Sequence, residues 1–245
     1  MSDTKRRSNK AKSAGRNLAR MGVGVIAGGL MFVGRAEAAP IVNESFESSP
    51  SPLFGAFSSY AYAENYTSVN VPPNPGLRYF TGTTGLATQT HHGTASLTSL
   101  PNGVPAAAID AGVANYDLSA YFSTYQDQTD FSEVRLQFKD ASGTNVGDLV
   151  TIGGAEFVSN LGFGQNAADA DGYRDWGLDS ASGLIPAGAR VADLTIFTQR
   201  NQGNAADGYL DVLQLNVSGV PEPGAAGLAA FAAALVGLRR RRRAP

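Results

Sequence analysis

The sequence contains no cysteine, a single tryptophan and only two histidines in 245 residues. Without cysteine, an exported domain built from this chain must hold itself together without disulfides. Three motifs of catalysis and nucleotide binding are also missing: the Gly-x-Ser-x-Gly elbow, His-Glu-x-x-His and the Gly-x-x-x-x-Gly-Lys loop. The sequence therefore offers no catalytic residue to nominate, and we predict a protein that is not an enzyme.

The two histidines and the many acidic residues give only weak indications of a metal site or a catalytic site. His91 and His92 are adjacent, and successive residues of a strand face opposite ways, so both cannot easily bind one metal ion. A pair at the surface is the expected arrangement. Two carboxylates could hydrolyse a glycosidic bond, but a chain this rich in acids always offers a pair, so the pattern does not indicate a hydrolase.

The N-terminus has the composition of a secretory signal peptide. Residues 1–20 are rich in Lys and Arg, residues 21–34 are apolar and rich in glycine, and Ala36-Glu37-Ala38 places small residues at a cleavage site. We therefore predict cleavage after the last of these three residues. An uncleaved transmembrane helix is the alternative. The Arg6-Arg7 pair leaves twin-arginine export open beside the general secretory route.

The C-terminus combines three unusual segments. Val220-Pro221-Glu222-Pro223 is followed by an apolar run, Gly224–Leu238, and then by five arginines, Arg239–Arg243. A helix through the apolar run would rise about 22 Å, short of the roughly 30 Å hydrocarbon core of a bilayer, so it would span only marginally. The arginines would stay on the cytoplasmic side, which leaves the rest of the chain outside.

This tail resembles the PEP-CTERM sorting signal of exported proteins in Gram-negative bacteria. The resemblance rests on Pro221, Glu222 and Pro223, the apolar helix and the arginine cluster, within residues 220–245. It implies processing by a membrane protease of the exosortase type, a transient anchor in the inner membrane, and release to the cell surface or the extracellular space. Carriers of the signal are commonly associated with exopolysaccharide or biofilm matrix. The alternative is an ordinary C-terminal anchor helix.

Residues 39–219 form the remaining body of the chain. Six Lys and Arg and eighteen Asp and Glu lie in it, a formal charge of −12, although the whole chain carries only −2. Such a body would be repelled by phosphate backbones, so nucleic-acid binding is disfavoured, and divalent cations become plausible partners. Its length of about 180 residues is enough for one sizeable core.

Apolar residues of the body alternate with polar ones, which predicts half-buried strands. The clearest patterns are Val134, Leu136 and Phe138; Ala192, Leu194 and Ile196; and Leu213, Leu215 and Val217. Turn clusters rich in Pro, Gly and Asn separate the candidates, and no long amphipathic helix appears. We therefore predict an all-β sandwich of eight to ten strands in two sheets. Further strand candidates are Ile41–Phe46, Phe54–Tyr62, Tyr66–Val71, Ala95–Leu100, Ala106–Ile109 and Val146–Ile152.

The two ends of the body resemble the first and last strands of galactose-binding-like jelly rolls, a fold shared by many carbohydrate-binding modules. The resemblance rests on residues 43–47 and 207–217. In those families a Phe-Glu early in the domain and an aromatic-x-Asp in the last strand contribute to a structural calcium site. The matching positions are Glu47 and Asp211, while Val212 stands where a second Asp is common.

Strand geometry points independently to Asp211. On a strand over residues 209–217, Asp211 shares a face with Leu213 and Leu215, so its carboxylate is predicted to head toward the core. An unpaired buried carboxylate is costly and the body has few cations, so a structural Ca²⁺ is a plausible partner. The alternative is a strand end where the carboxylate is exposed or bonded to backbone N–H groups.

A second acidic segment, residues 166–175, is partly echoed by residues 204–211. It fails the EF-hand pattern because Ala167 and Leu178 stand where the first and last ligands are required. Two polar Asp-Gly turns are the simplest interpretation; a second calcium site or a ligand-binding loop are the alternatives. Aromatic rings stack on sugars, so the segment supplies the best carbohydrate candidates: Tyr173, Arg174, Asp175 and Trp176.

Two functions from different classes follow. The favoured one is an exported, non-catalytic surface or matrix protein that binds exopolysaccharide and is stabilised by calcium. The alternative is an envelope or secreted enzyme that acts on polysaccharide through carboxylates.

Overall fold

A computed structural model describes residues 39–62, 71–99, 101–162 and 174–219 of the chain. Within these ranges, no helix is long and apolar enough to cross a membrane. Several sequence predictions lie outside the described residues and stay predictions. They are the signal peptide (1–38), the sorting signal and its apolar helix (220–245), the strand over 66–71 apart from its last residue, Tyr173, and most of the 166–175 segment.

Ten β-strands in two antiparallel sheets make up the described part of the fold. The six-stranded sheet has the order β2-β3-β10-β5-β8, with β1 also paired to β10. The four-stranded sheet has the order β4-β9-β6-β7. The strands are β1 (Val42–Glu44), β2 (Ser58–Ala61), β3 (Arg78–Thr81), β4 (Thr88–Ser96), β5 (Ala114–Thr124), β6 (Phe131–Lys139), β7 (Asn145–Gly153), β8 (Gly177–Leu184), β9 (Val191–Gln199) and β10 (Gly208–Gly219).

From β3 onward the chain crosses repeatedly between the two sheets. β3, β5, β8 and β10 belong to the larger sheet, while β4, β6, β7 and β9 belong to the smaller one. Most sequence neighbours are therefore not paired with each other, as in jelly-roll sandwiches. The predicted all-β sandwich of eight to ten strands is confirmed.

The core lies between the sheets and is built from the predicted alternation. In β6 the side chains of Val134, Leu136 and Phe138 are buried, and in β9 those of Ala192, Leu194 and Ile196. Their neighbours in each strand are half-buried on the outer face. Facing them across the sandwich are buried residues of the larger sheet, among them Leu118, Phe122, Leu213, Leu215 and Val217.

Two strand predictions were wrong. Residues 106–109 belong to a helix, α1 (Ala106–Asp110), rather than to a strand. Three consecutive alanines favour a helix, and Pro105, which stands directly before it, needs no partner for an N–H. Of the described residues in the strand predicted over 95–100, only Ala95 and Ser96 belong to a strand, as the end of β4, which begins at Thr88. A second short helix, α2 (Gly154–Ser159), follows β7.

Candidate functional site

A β-bulge in the last strand decides which way Asp211 points. Asp211 pairs with Tyr121 of β5 and Gln214 pairs with Ser119, so β10 uses one more residue than β5 between the two pairs. Val212 lies within the bulge with a φ of 50°, in the left-handed region. The extra residue reverses the alternation of faces on its N-terminal side.

The sequence therefore predicted the wrong face for Asp211. Leu210 joins the sandwich core with Leu213, whereas Tyr209 belongs to a separate group of tyrosines. Asp211 follows Tyr209 by two residues and thus shares its face, the outer face of the six-stranded sheet. The carboxylate is nonetheless fully buried, and the Tyr62 hydroxyl, just after β2, contacts it.

The surroundings of Asp211 disfavour its charge. Tyr62 Oη donates a hydrogen bond to Oδ2 at 2.5 Å, and the Val212 N–H donates to Oδ1 at 2.7 Å. Burial raises the pKa of Asp211 to about 8; the two hydrogen bonds oppose the rise, and the negative charges of Glu47 and Glu44 add to it. Within the described ranges Asp211 makes no ion pair.

Glu47, the other predicted calcium ligand, lies at the same end of β10. Strand β1 leaves β10 at the Glu44–Leu213 pair, and β3 takes its place at Leu210. Glu47 follows at this junction, where Oε1 accepts hydrogen bonds from the N–H groups of Leu77 (2.9 Å) and Arg78 (3.2 Å). Among the described residues, no group of three or more Asp, Glu, His or Cys is arranged to hold a metal ion.

Six aromatic side chains gather on the outer face beside Asp211, and we call them the tyrosine–tryptophan cluster. Buried Tyr79 lies at its centre, with ring centroids 4.9 Å from both Tyr62 and Tyr209 and 5.4 Å from Trp176. Three of the six rings are half-buried rather than buried. The members are Tyr60, Tyr62, Tyr79, Tyr125, Trp176 and Tyr209.

The three described carbohydrate candidates make different contacts. Trp176 packs in the tyrosine–tryptophan cluster, whereas Arg174 donates through Nη1 to the Leu161 carbonyl at 3.1 Å. The Asp175 N–H donates to the carbonyl of Gly162 at 2.9 Å. Of the described candidates only Trp176 therefore joins an aromatic surface, while Arg174 and Asp175 bind the chain after α2.

Sequence reasoning missed the clustering of the tyrosines. The adjacent pair Tyr79-Phe80 could have indicated it. Neighbouring residues in a strand point to opposite faces of the sheet, so two large aromatic residues in succession indicate that both faces of the sheet are packed against other side chains. Phe80 indeed packs in the sandwich core and Tyr79 in the outer cluster. Tyr60 is opposite Tyr79 in the β2–β3 pairing and extends the outer cluster.

A second pair of acids, Asp130 and Asp207, also lies next to the cluster. Asp130 is fully buried and accepts hydrogen bonds from the N–H groups of Asn201, Gln202 and Asp207 at 2.6, 2.8 and 3.0 Å. Burial raises the pKa of Asp207 and the charge of Asp130 adds to the rise, while a hydrogen bond from Tyr209 Oη opposes it. Asp130 thus organises the loop that leads into β10.

The histidines face opposite ways, as expected for neighbours in a strand. The His91 ring packs edge-on against Phe80 with centroids 5.4 Å apart, and burial lowers its pKa. His92 is exposed, and its Nδ1 lies 3.0 Å from the Thr195 hydroxyl.

No protein-family model matches the sequence, and no curated protein matches it either. Among solved structures, it is similar to the CBM22-1 xylan-binding domain of Paenibacillus barcinonensis Xyn10C, with 15% identity over 76% of this chain and 100% of that one and a TM-score of 0.37. The C-terminal family 22 carbohydrate-binding module of Clostridium thermocellum Xyn10B gives 16% identity over 76% and 98%, with a TM-score of 0.37.

A third similar structure is the enzymatically active domain of tailspike protein 4 from bacteriophage CBA120, with 14% identity and a TM-score of 0.38. The match covers 61% of this chain but spans only 17% of the tailspike chain. Similar structures thus include both carbohydrate-binding modules and parts of enzymes. What this chain binds depends on its own side chains.

Proposed function

We propose that the chain is an exported, non-catalytic surface or matrix protein that binds polysaccharide on the outer face of its six-stranded sheet. The observation that carries this proposal is the tyrosine–tryptophan cluster. Its buried rings fix the half-buried Tyr60, Tyr125 and Trp176 in place. Rigid rings at a surface offer flat apolar area to a sugar at little entropic cost.

Polar groups beside the rings suit the same ligand. Sugars need hydrogen bonds for their hydroxyls as well as an apolar surface for the ring. Tyrosine supplies both, because its hydroxyl donates and accepts while its ring stacks. A cluster of tyrosines around one tryptophan therefore fits a carbohydrate better than it fits a purely apolar ligand.

Replacement of Trp176 by alanine tests the proposal. We expect the full chain to bind a soluble polysaccharide such as xylan in affinity electrophoresis, and Trp176→Ala to weaken binding about tenfold or more, since stacked aromatic anchors dominate such sites. Phe197→Ala is the matched control: Phe197 is half-buried on the outer face of the other sheet, beneath Arg135. Equal losses in both variants, or no polysaccharide binding by the parent chain, would reject the proposal.

Calcium is proposed as a structural partner at Asp211 and Glu47. The fit rests on two carboxylates at one end of β10 and on the fully buried Asp211 side chain, which has no ion-pair partner in the described residues. A calcium ion prefers carboxylate and carbonyl oxygens, and each Asp211 carboxylate oxygen keeps acceptor capacity beyond the one hydrogen bond described for it. When bound, the ion would neutralise the charge that burial disfavours.

Export and sorting are proposed from the sequence alone. The signal peptide would hand the chain to the export machinery, and Pro221-Glu222-Pro223 with the arginine cluster would direct it to an exosortase-type protease. Mass spectrometry of the surface-released protein should then give a chain that begins at Ala39 and lacks the five arginines. Recovery of the intact polypeptide from the cytosol would contradict this part of the proposal.

A polysaccharide-active enzyme is the second candidate, and one observation favours it. Asp207 and Asp211 flank Tyr209 on the cluster side, and the pKa of each carboxyl is raised. A raised pKa is what a glycosidase needs in the carboxyl that serves as its acid. Release of reducing ends from xylan that disappears in Asp207→Asn would favour the enzyme; binding without turnover would favour the first candidate.

A further inference from the structure

Beyond the tyrosine–tryptophan cluster, two rows of residues on the outer face of the six-stranded sheet are polar and almost uncharged, with exposed Leu178 and Leu184 near the two ends of β8. In one row across four strands, Asn43 pairs with Gln214, Gln214 with Ser119, and Ser119 with Ser180. In the next row, Asn216 pairs with Asp117, and Asp117 with Ser182. We call the uncharged members of these two rows the polar face: Asn43, Ser119, Ser180, Ser182, Gln214 and Asn216.

The polar face and the cluster form one continuous surface. Strand β5 has no bulge. Its residues Leu118, Ala120 and Phe122 point into the core, so the residues that alternate with them lie on the outer face of the sheet. The accessible outer residues of β5 run from Tyr121, opposite Asp211, to Asp117, opposite Asn216, whereas Ser123 is buried and its hydroxyl donates to the Arg174 carbonyl. These four residue steps cover about 13 Å, and the tyrosine–tryptophan cluster extends the surface beyond Tyr121.

The other sheet has a different outer face. There Arg135 pairs with Glu133, and Lys139 pairs with Asp193. The polar face, in contrast, contains neither lysine nor arginine, and Asp117 is the only charged residue in its two rows. The shortage of charge thus distinguishes one sheet from the other.

Amide and hydroxyl side chains can each donate and accept hydrogen bonds, as sugar hydroxyls do. An anionic polymer would instead need lysine or arginine to pair with its charges, and the negative Asp117 would repel it. The chemistry of the polar face therefore matches an uncharged, hydroxyl-rich chain.

We propose that the polar face is the second half of an elongated binding surface, which takes a neutral linear polysaccharide along β10 and β5 and discriminates against acidic ones. This inference rests on the proposed polysaccharide binding at the cluster. A short oligosaccharide would occupy the cluster alone, and only a longer chain would reach Gln214 and Asn216.

Oligosaccharide length separates the two halves of the surface. We expect the full chain to bind a long xylo-oligosaccharide about tenfold more tightly than a short one in calorimetry, because the longer ligand gains hydrogen bonds on the polar face. The double variant Gln214→Ala/Asn216→Ala should lose this gain and leave the affinity for the short ligand unchanged. Gln137→Ala/Gln199→Ala, on the other sheet, is the matched control and should change neither affinity.

Selectivity provides the second test. The parent chain should bind xylan and not polygalacturonate, while Asp117→Lys/Asn216→Lys should acquire salt-sensitive binding to polygalacturonate, because cations attract its carboxylates. If short and long ligands bind equally, or the alanine pair has no effect, the polar face is not a subsite although the cluster still binds. Equal binding of polygalacturonate by the parent chain would also overturn the inference. Absence of binding to any glycan would overturn both proposals.

Discussion

The carboxyl group of Asp211 lies where a negative charge is unfavourable. It has no exposed surface, its hydrogen-bond donors are one tyrosine hydroxyl and one backbone N–H, and Glu44 and Glu47 add unfavourable charge. Either protonation of the carboxylate or binding of a metal cation would neutralise this unfavourable charge. The group therefore links the stability of the fold to solution conditions.

The pH dependence of unfolding should report this group when calcium is removed. The pKa of Asp211 is about 8 in the folded chain against an ordinary value of 3.8, so between these values the folded state holds a proton that the unfolded state has released. Stability is then greatest at low pH and falls as pH rises toward 8, by at most about 1.4 kcal/mol per pH unit. Chemical denaturation in EGTA at several pH values measures this slope.

Asp211→Asn should flatten the slope, since the amide does not titrate. Asp117→Asn, on the exposed outer face of the same sheet, is the control and should keep the parent slope. A parent chain whose stability rises from pH 5 to 8 in EGTA would contradict the assigned direction.

At the residue scale, the sequence was right about burial of Asp211 and wrong about its face. The alternation of Leu213, Leu215 and Val217 was extended back through Asp211, but the bulge at Val212 reverses it. Nothing in the letters Leu-Asp-Val-Leu marks a bulge, because valine disfavours the left-handed backbone that the bulge requires. A glycine or asparagine there would have given a signal.

Strand β10 carries backbone strain at this same bulge. Val212 has a φ of 50°, which is costly for a β-branched side chain. Asparagine tolerates this region, so we expect Val212→Asn to raise the free energy of unfolding by about 1 kcal/mol. Urea denaturation in EGTA measures the change without a contribution from bound metal.

The control for this substitution is Val191→Asn. Val191 is also a half-buried valine in a strand, but it is not among the residues with positive φ in the described ranges. Asparagine should destabilise it, because β-branched residues fit an ordinary strand better. Destabilisation of both variants by similar amounts would argue against strain at Val212.

At the element scale, prediction from sequence succeeded where strands have one wet and one dry face. β6 and β9 were found because large apolar residues occupy every second position. Strand β8 and most of β4 were not predicted, because they consist largely of serine, glycine, threonine and histidine, which leave little alternation of apolar and polar residues to detect. The polar face was also missed, since it becomes visible only when β1, β10, β5 and β8 are placed side by side.

At the scale of the whole molecule, residues 39–219 combine a disulfide-free sandwich with a strongly acidic composition. Residues 39–219 contain twelve more acidic than basic residues. Repulsion among these negative charges opposes the folded state, so a bound cation would offset more negative charge than that of one carboxylate. Which strands meet across the two sheets was beyond sequence reasoning, because the chain crosses between them repeatedly and long-range pairing leaves no local pattern.

Calcium should therefore stabilise the whole chain, which a thermal melt can test. We expect the midpoint at pH 7.5 to rise by several degrees with excess CaCl₂ over EGTA, because a ligand that binds only the folded state stabilises it by mass action. Magnesium at the same ionic strength is the control, since it demands a stricter octahedral geometry and should give a smaller shift. Asp211→Asn should abolish the calcium shift and retain the small general effect of salt. An identical midpoint for the parent chain in calcium and in EGTA would eliminate structural calcium and leave protonation as the only relief for the buried carboxyl.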